Sequence, residues 1–242
     1  MSHGAGSDAP APASDATRPT DAASRSLPYI APFAVFMAFV ALQSSRFHLP
    51  ELAAQVAWVS VVALVLILVA RPVIHLRAPH WPLSLLIGAA VFGIWIGPDL
   101  LFPGYRHYWL FENAILGAPS GALSAAGHSQ PLVLALRGVR AIVIVPIVEE
   151  LFWRAWLMRW IVAPDFEKVP LGAYTPFAFW AVALLFASEH GSYWDVGLIT
   201  GVIYNAWMVR SKSLGDLILT HAVTNACLSA YVIAAGKWEY WL

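Results

Sequence analysis

The 242-residue chain is 60% hydrophobic, 12% charged and without net charge, whereas a soluble domain is about 45–50% apolar and about 25% charged. These proportions exclude an ordinary water-soluble domain and point to an integral membrane protein, and the balanced charge gives no reason to expect nucleic acid as a partner. A single cysteine, Cys227, excludes an internal disulfide framework and any multi-cysteine metal site.

Ala, Ser, Pro, Gly, Asp and Thr dominate from Met1 to Ser26. Such a segment cannot bury enough apolar area to offset its ordering entropy, so residues 1–26 are expected to form a disordered polar tail. It lacks the compact basic start of a signal peptide, and the apolar run after it reads as an uncleaved first span. A helix needs about 20 apolar residues to cross the hydrocarbon. The runs that approach this are Leu27–Gln43, Leu52–Ala70, Leu83–Phe102, Leu132–Val162, Tyr174–Ser188, Val196–Val209 and Leu214–Ala235. The fifth and sixth are short, as in helices that tilt or are shielded by neighbours. The Ala/Gly/Ser stretch Ala118–Ala126 reads either as an eighth, re-entrant piece or as an external loop.

Residues 27–242 are therefore expected to be an all-α polytopic bundle of about seven transmembrane helices around an intramembrane polar cavity, with the motif-bearing half at about 131–235. The distribution of Lys and Arg favours a cytoplasmic N-terminus, with Arg18, Arg25, Arg71, Arg77, Lys168, Arg210 and Lys212 inside and Arg46 outside. Arg106, Lys237 and the end of the fourth run that carries Arg137 and Arg140 then face outward. Trp81, Trp109, Trp160, Trp194, Trp238 and Trp241 lie near span ends and read as interfacial anchors.

Ionisable groups inside a span are costly and mark functional sites by default. The fourth run holds Glu149-Glu150-Leu151-Phe152-Trp153-Arg154. Glu150 and Arg154 are four apart and share a helix face, which suits an ion pair. Glu149 is rotated by about 100° from Glu150 and is left as the freer carboxylate, suited to general-base work; a polar clamp between helices is the alternative. Phe186 and His190 share a face in the same way, as do His221 and Asn225. A ring N–H and an amide N–H converging on one point could stabilise an oxyanion, or the pair could bond between helices. Gly197, Gly201 and Asn205 recur every fourth residue; the two glycines form a small-residue stripe, and the set is assigned to close helix packing.

The order E-E-x-x-x-R, F-x-x-x-H, H-x-x-x-N resembles the CPBP family of intramembrane proteases, also known as the CAAX-protease and bacteriocin-processing family. The likeness covers about Pro146 to Cys227. The tail and the E-E-L-F-W-R variant also resemble CAAX-protease-related proteins associated with exosortase systems. The resemblance implies that Glu149 activates water with help from His190, that His221 and Asn225 hold the oxyanion, and that Glu150, Arg154 and Phe186 support them. It further implies a membrane protein or peptide substrate in the lipid bilayer, in a bacterial inner membrane. The family has also been described as metal-dependent, and zinc would then fall to Glu149, His190 and His221. With no H-E-x-x-H present, a glutamate mechanism without an obligatory metal is the expectation. Two other readings stay open, a non-enzymatic immunity or scaffolding protein of the same fold and a proton-coupled transporter.

Overall fold

A computed structural model describes residues 19–43, 49–113, 116, 123–124 and 126–241. The tail as far as residue 18 and most of the stretch 118–126 lie outside the described residues. The protein is all-helical, with no β-strand among the described residues. Seven main helices follow one another: α1 (Pro19–Gln43), α2 (Glu51–Val73), α3 (Trp81–Leu101), α4 (Pro131–Val162), α5 (Pro176–Ser188), α6 (Trp194–Ser211) and α7 (Leu214–Ala235). Among the described residues, five helices are long and apolar enough to cross a membrane; α5 and α6 are not among them. The exterior is apolar, with Leu68, Leu101 and Phe177 more than 70% exposed, while Glu150, Arg154 and Asp216 are fully buried. A polar interior inside an apolar surface is the arrangement a bilayer demands.

The first helix corrects one expectation. It opens at Pro19, so residues 19–26, expected in the tail, are helical. Proline is well suited to a first helical turn, and tertiary contacts hold the extension. Arg25 pairs with Asp165 at 3.1 Å, and Trp156 donates its indole N–H to Ser26 Oγ at 3.1 Å.

Local signals set the other ends. Thr175 caps α5 by accepting from the Ala178 N–H, and Ser213 caps α7 by accepting from the Asp216 N–H. α7 stops at Gly236, whose φ of +66° closes a left-handed C-terminus. The buried Asp216 carboxylate in turn accepts from the His80 backbone N–H at 2.9 Å and from Ser84 Oγ at 3.1 Å. One acid thus ties the start of α3 to the start of α7. These helices lie close along their length because Gly88 has no side chain; a Cβ there would stand 2.5 Å from the Thr220 carbonyl oxygen. α5 and α6 pair as tightly through Gly201, which faces the Ala183 backbone, and α1 stacks Phe33 on Phe152 of α4 with ring centroids 4.0 Å apart.

α4 is not a regular α-helix. It changes to π-helix at Arg140–Ile144, returns to α at Val145–Glu150, and becomes π again at Leu151–Leu157. Pro146 explains the first change. Its ring nitrogen cannot donate to the preceding turn, so the ladder before it is re-formed in a wider register. The two glutamates lie on the short α segment between the two wide ones.

Candidate active site

The two carboxylates point apart. Glu150 is fully buried, and its oxygens accept from Arg154 Nη1, each at 3.1 Å. Its Oε1 also lies 2.8 Å from His221 Nδ1 on α7. Arg154 continues the chain: its Nε donates to Asn205 Oδ1 at 2.9 Å, and Asn205 Nδ2 donates to the Phe179 carbonyl at 2.8 Å. The guanidinium lies over the Phe186 ring, 4.3 Å from its centroid. One buried network therefore links α4, α5, α6 and α7, and Glu150 both balances Arg154 and orients His221.

Glu149 faces the other way, into a cavity of about 210 Å³ whose wall also includes His190, His221 and Asn225. Its Oε2 is buried without a hydrogen-bond partner and lies 4.0 Å from His221 Nε2. An unsatisfied buried carboxylate oxygen is unusual in native structures and asks for an occupant such as water or substrate.

α5 is only 13 residues long, so its C-terminal end stops within the bundle and delivers His190 to the cavity. There the His190 ring packs on Phe186 and Trp95, with centroids 4.7 and 5.4 Å away. Its Nδ1 lies 2.7 Å from the Phe186 carbonyl oxygen and donates to it, since that oxygen can only accept. The neutral ring then turns an Nε2 lone pair outward. Gly197 leaves room for this ring; a Cβ there would stand 3.1 Å from it. The glycine stripe thus packs α6 against α5 and the site histidine as well.

Asn225 Nδ2 donates to the Ala141 carbonyl at 2.8 Å. Ala141 lies in the first π segment of α4, so the amide occupies a carbonyl of the widened helix. A second N–H remains on that nitrogen.

Several residues in or beside the site carry a different assignment from sequence, or none. Glu189 accepts from the Trp153 indole N–H at 2.9 Å and lines the same cavity as Glu149. Its adjacency to His190 was the available signal. Asn205, assigned to packing with the glycines, accepts from Arg154. Arg137 and Arg140, placed by sequence at the outer end of the fourth run, are only 5% and 1% exposed and line the cavity. Trp241, read as an interfacial anchor, is 3% exposed in the cavity wall, where its indole N–H bonds to Ser229 Oγ at 3.2 Å. Position along a span does not tell which way a helix turns its side chains. Among the described residues, no three His, Cys, Asp or Glu side chains are grouped to hold a metal ion.

Residues 131–227 match the family model described as Rce1-like, type II CAAX prenyl endopeptidase. The match takes in all three motifs. Comparison with curated proteins and with solved structures finds no match.

Proposed function

We propose that this integral membrane protein, whose residues 131–227 match the Rce1-like CAAX endopeptidase family model, is an intramembrane endopeptidase that hydrolyses a peptide bond of a membrane-associated protein or peptide. The observation that carries this reading is the buried Glu149 Oε2, unpartnered at the cavity wall beside His190, His221 and Asn225.

In the proposed reaction, a water in the cavity donates to Glu149 and is oriented by the His190 Nε2 lone pair. Glu149 takes one proton as the water oxygen bonds to the scissile carbonyl carbon. The carbonyl oxygen becomes an oxyanion and accepts from the remaining Asn225 N–H and from His221. His221 donates through Nδ1 to Glu150, so its Nε2 offers an N–H when the ring is doubly protonated. When the C–N bond breaks, Glu149 returns its proton to the leaving nitrogen. Glu150, Arg154 and Phe186 position the donors without touching the reacting atoms. The setting we propose is a bacterial inner membrane, with the N-terminus cytoplasmic.

Glu149→Gln is nearly isosteric and should abolish processing while the protein inserts at normal levels. Comparing membrane-protein termini between cells carrying the native protein and cells carrying this variant tests the activity and identifies the substrate together. Unchanged termini would support a binding or scaffolding role instead. We also propose that no metal is obligatory. Cleavage by the purified protein should then survive 1,10-phenanthroline, whereas inactivation reversed by added zinc would assign a metal to Glu149, His190 and His221.

A further inference from the structure

Among the described residues, Arg140 is a buried cation with no acid in an ion pair with it. It is 1% exposed, lines the same cavity as Glu149, and has an Nη1 without a hydrogen-bond partner. The charged group acting on it is Arg137, another cation one turn earlier. The carboxylates do not serve it: Glu150 is engaged by Arg154 and His221, and Glu149 is acted on by Glu189, Glu150 and Arg154. The cavity therefore has two poles. Acids and histidines gather at one, and Arg140 stands at the other, nine residues earlier on α4, or about 13 Å along a helix.

The Arg140 guanidinium lies 3.6 Å from the centroid of the Trp58 ring. Stacking fixes the plane of the group and shelters one face, but a ring quadrupole compensates a buried charge only in part. A planar cation held in this way offers an edge of parallel N–H donors, and that edge matches the two oxygens of a carboxylate. The cavity wall also carries apolar side chains, Phe36, Met37, Val40 and Leu228 among them, which would help to screen a bound carboxylate from water.

We propose that Arg140 is an anchoring residue for a carboxylate carried by the substrate, and that its distance from Glu149 sets which peptide bond reaches the base. This rests on the protease reading of the cavity. The carboxylate belongs to the peptide, either as an acidic side chain or as a chain end. Arg140 touches no reacting atom, so its loss should raise KM and leave kcat for a saturating substrate nearly unchanged.

The test uses purified Glu149→Gln protein, which binds without turnover. The probes are acetyl-Ala-Val-Ile-Leu with a free C-terminal carboxylate, its C-terminal amide, and acetyl-Asp-Val-Ile-Leu amide. Quenching of tryptophan fluorescence and the shift in unfolding temperature report binding. We expect one of the two carboxylate probes to bind at least tenfold more tightly than the neutral amide, and which of them does so identifies the source of the carboxylate. Adding Arg140→Met should remove the preference, and Arg140→Lys should retain part of it. Equal binding of all three probes to the Glu149→Gln protein would overturn the proposal without any Arg140 variant, so a variant that fails to fold does not protect it. A preference that survives Arg140→Met in a protein with unchanged unfolding temperature would overturn it too. So would stronger binding of lysophosphatidic acid than of either carboxylate peptide, which would assign the site to a phosphate. Because binding is read without cleavage, tight carboxylate binding with no processing activity would sink the protease reading alone, and processing without carboxylate preference would sink this one alone.

Discussion

The central residue is Glu150 as much as Glu149. It sits between an arginine on its own helix and a histidine on α7, with no exposure to solvent. Removing one partner of a buried ion pair is far more costly than never having had the pair, because the survivor keeps its charge without compensation. Glu150→Gln should therefore destabilise the protein by about 3–5 kcal/mol, read as a lowered unfolding temperature in detergent. Arg154→Met in the Glu150→Gln background should recover part of that loss, since both charges are then gone. A Glu150→Gln protein as stable as the native one would show that Arg154 finds compensation elsewhere.

At this scale the sequence was informative where cost and spacing coincided. Two glutamates in an apolar run need a reason, and fourfold spacing brought Arg154, His190, His221 and Asn225 to notice as facing groups. The same cost argument applied to Arg137 and Arg140. The distribution of Lys and Arg placed them at the outer end of the fourth run and said nothing of the direction of their side chains. Their actual direction depends on the widened register of α4 and on Trp58 and Trp241 arriving from elsewhere in the chain, which no local pattern encodes. Glu189 was missed for a related reason, since its partner, Trp153, is distant in sequence.

Among elements, the helix pairs α3–α7 and α5–α6 rest on missing side chains. At Gly88 an added methyl would meet the Thr220 carbonyl oxygen and the Val223 side chain, and backbone cannot yield cheaply. Gly88→Ala should cost about 1–3 kcal/mol as the helices are forced apart. It should also disturb the Thr224 hydroxyl, which donates to the Gly88 carbonyl at 2.9 Å and accepts from Tyr204 at 2.8 Å. Gly197 predicts something different. Its neighbour is the His190 ring, a side chain that can shift by a few tenths of an ångström. Gly197→Ala should leave the unfolding temperature close to native and still reduce the rate of cleavage by displacing that imidazole. A loss of stability matching that of Gly88→Ala would show that the histidine cannot give way. The helices themselves were legible from hydropathy to within a few residues. The exception was the start of α1, where contacts from Asp165 and Trp156 override a composition that favours disorder.

For the molecule as a whole, the three motifs lie on α4, at the end of α5 and on α7, so the site exists only when these elements are assembled. The side carrying the C-terminal segment is closed by a second set of polar contacts. Arg106, 6% exposed, pairs with Asp195 and Asp99 and donates to the Ser192 carbonyl; Asp99 also accepts from Tyr240 at 2.6 Å. The loop after α3, the start of α6 and the C-terminal segment that brings Tyr240 and Trp241 to the cavity are thus fastened through one guanidinium. Arg106→Met should loosen all three together, which hydrogen exchange would report as faster exchange at Tyr105–Phe111 and Trp238–Trp241 with α4 and α7 protected as before. Faster exchange throughout would show that Arg106 supports the bundle rather than this closure.

The alternation of π and α segments in α4 has a consequence for the phase of the helix. Each widened turn shifts every later residue around the axis relative to a plain helix. A widened turn holds about one residue more than a plain α turn, so deleting Val143 from Arg140–Ile144 would tend to restore the narrower register and leave the stretch after it close to its present phase. Deleting one residue from the plain stretch Pro131–Val139 would instead rotate one part of α4 against the other by about 100°, although no residue of the three motifs had changed. The place of a deletion is therefore a functional quantity in its own right: a chain one residue shorter within the widened turn should stay active, and one shortened in the plain stretch should be inert.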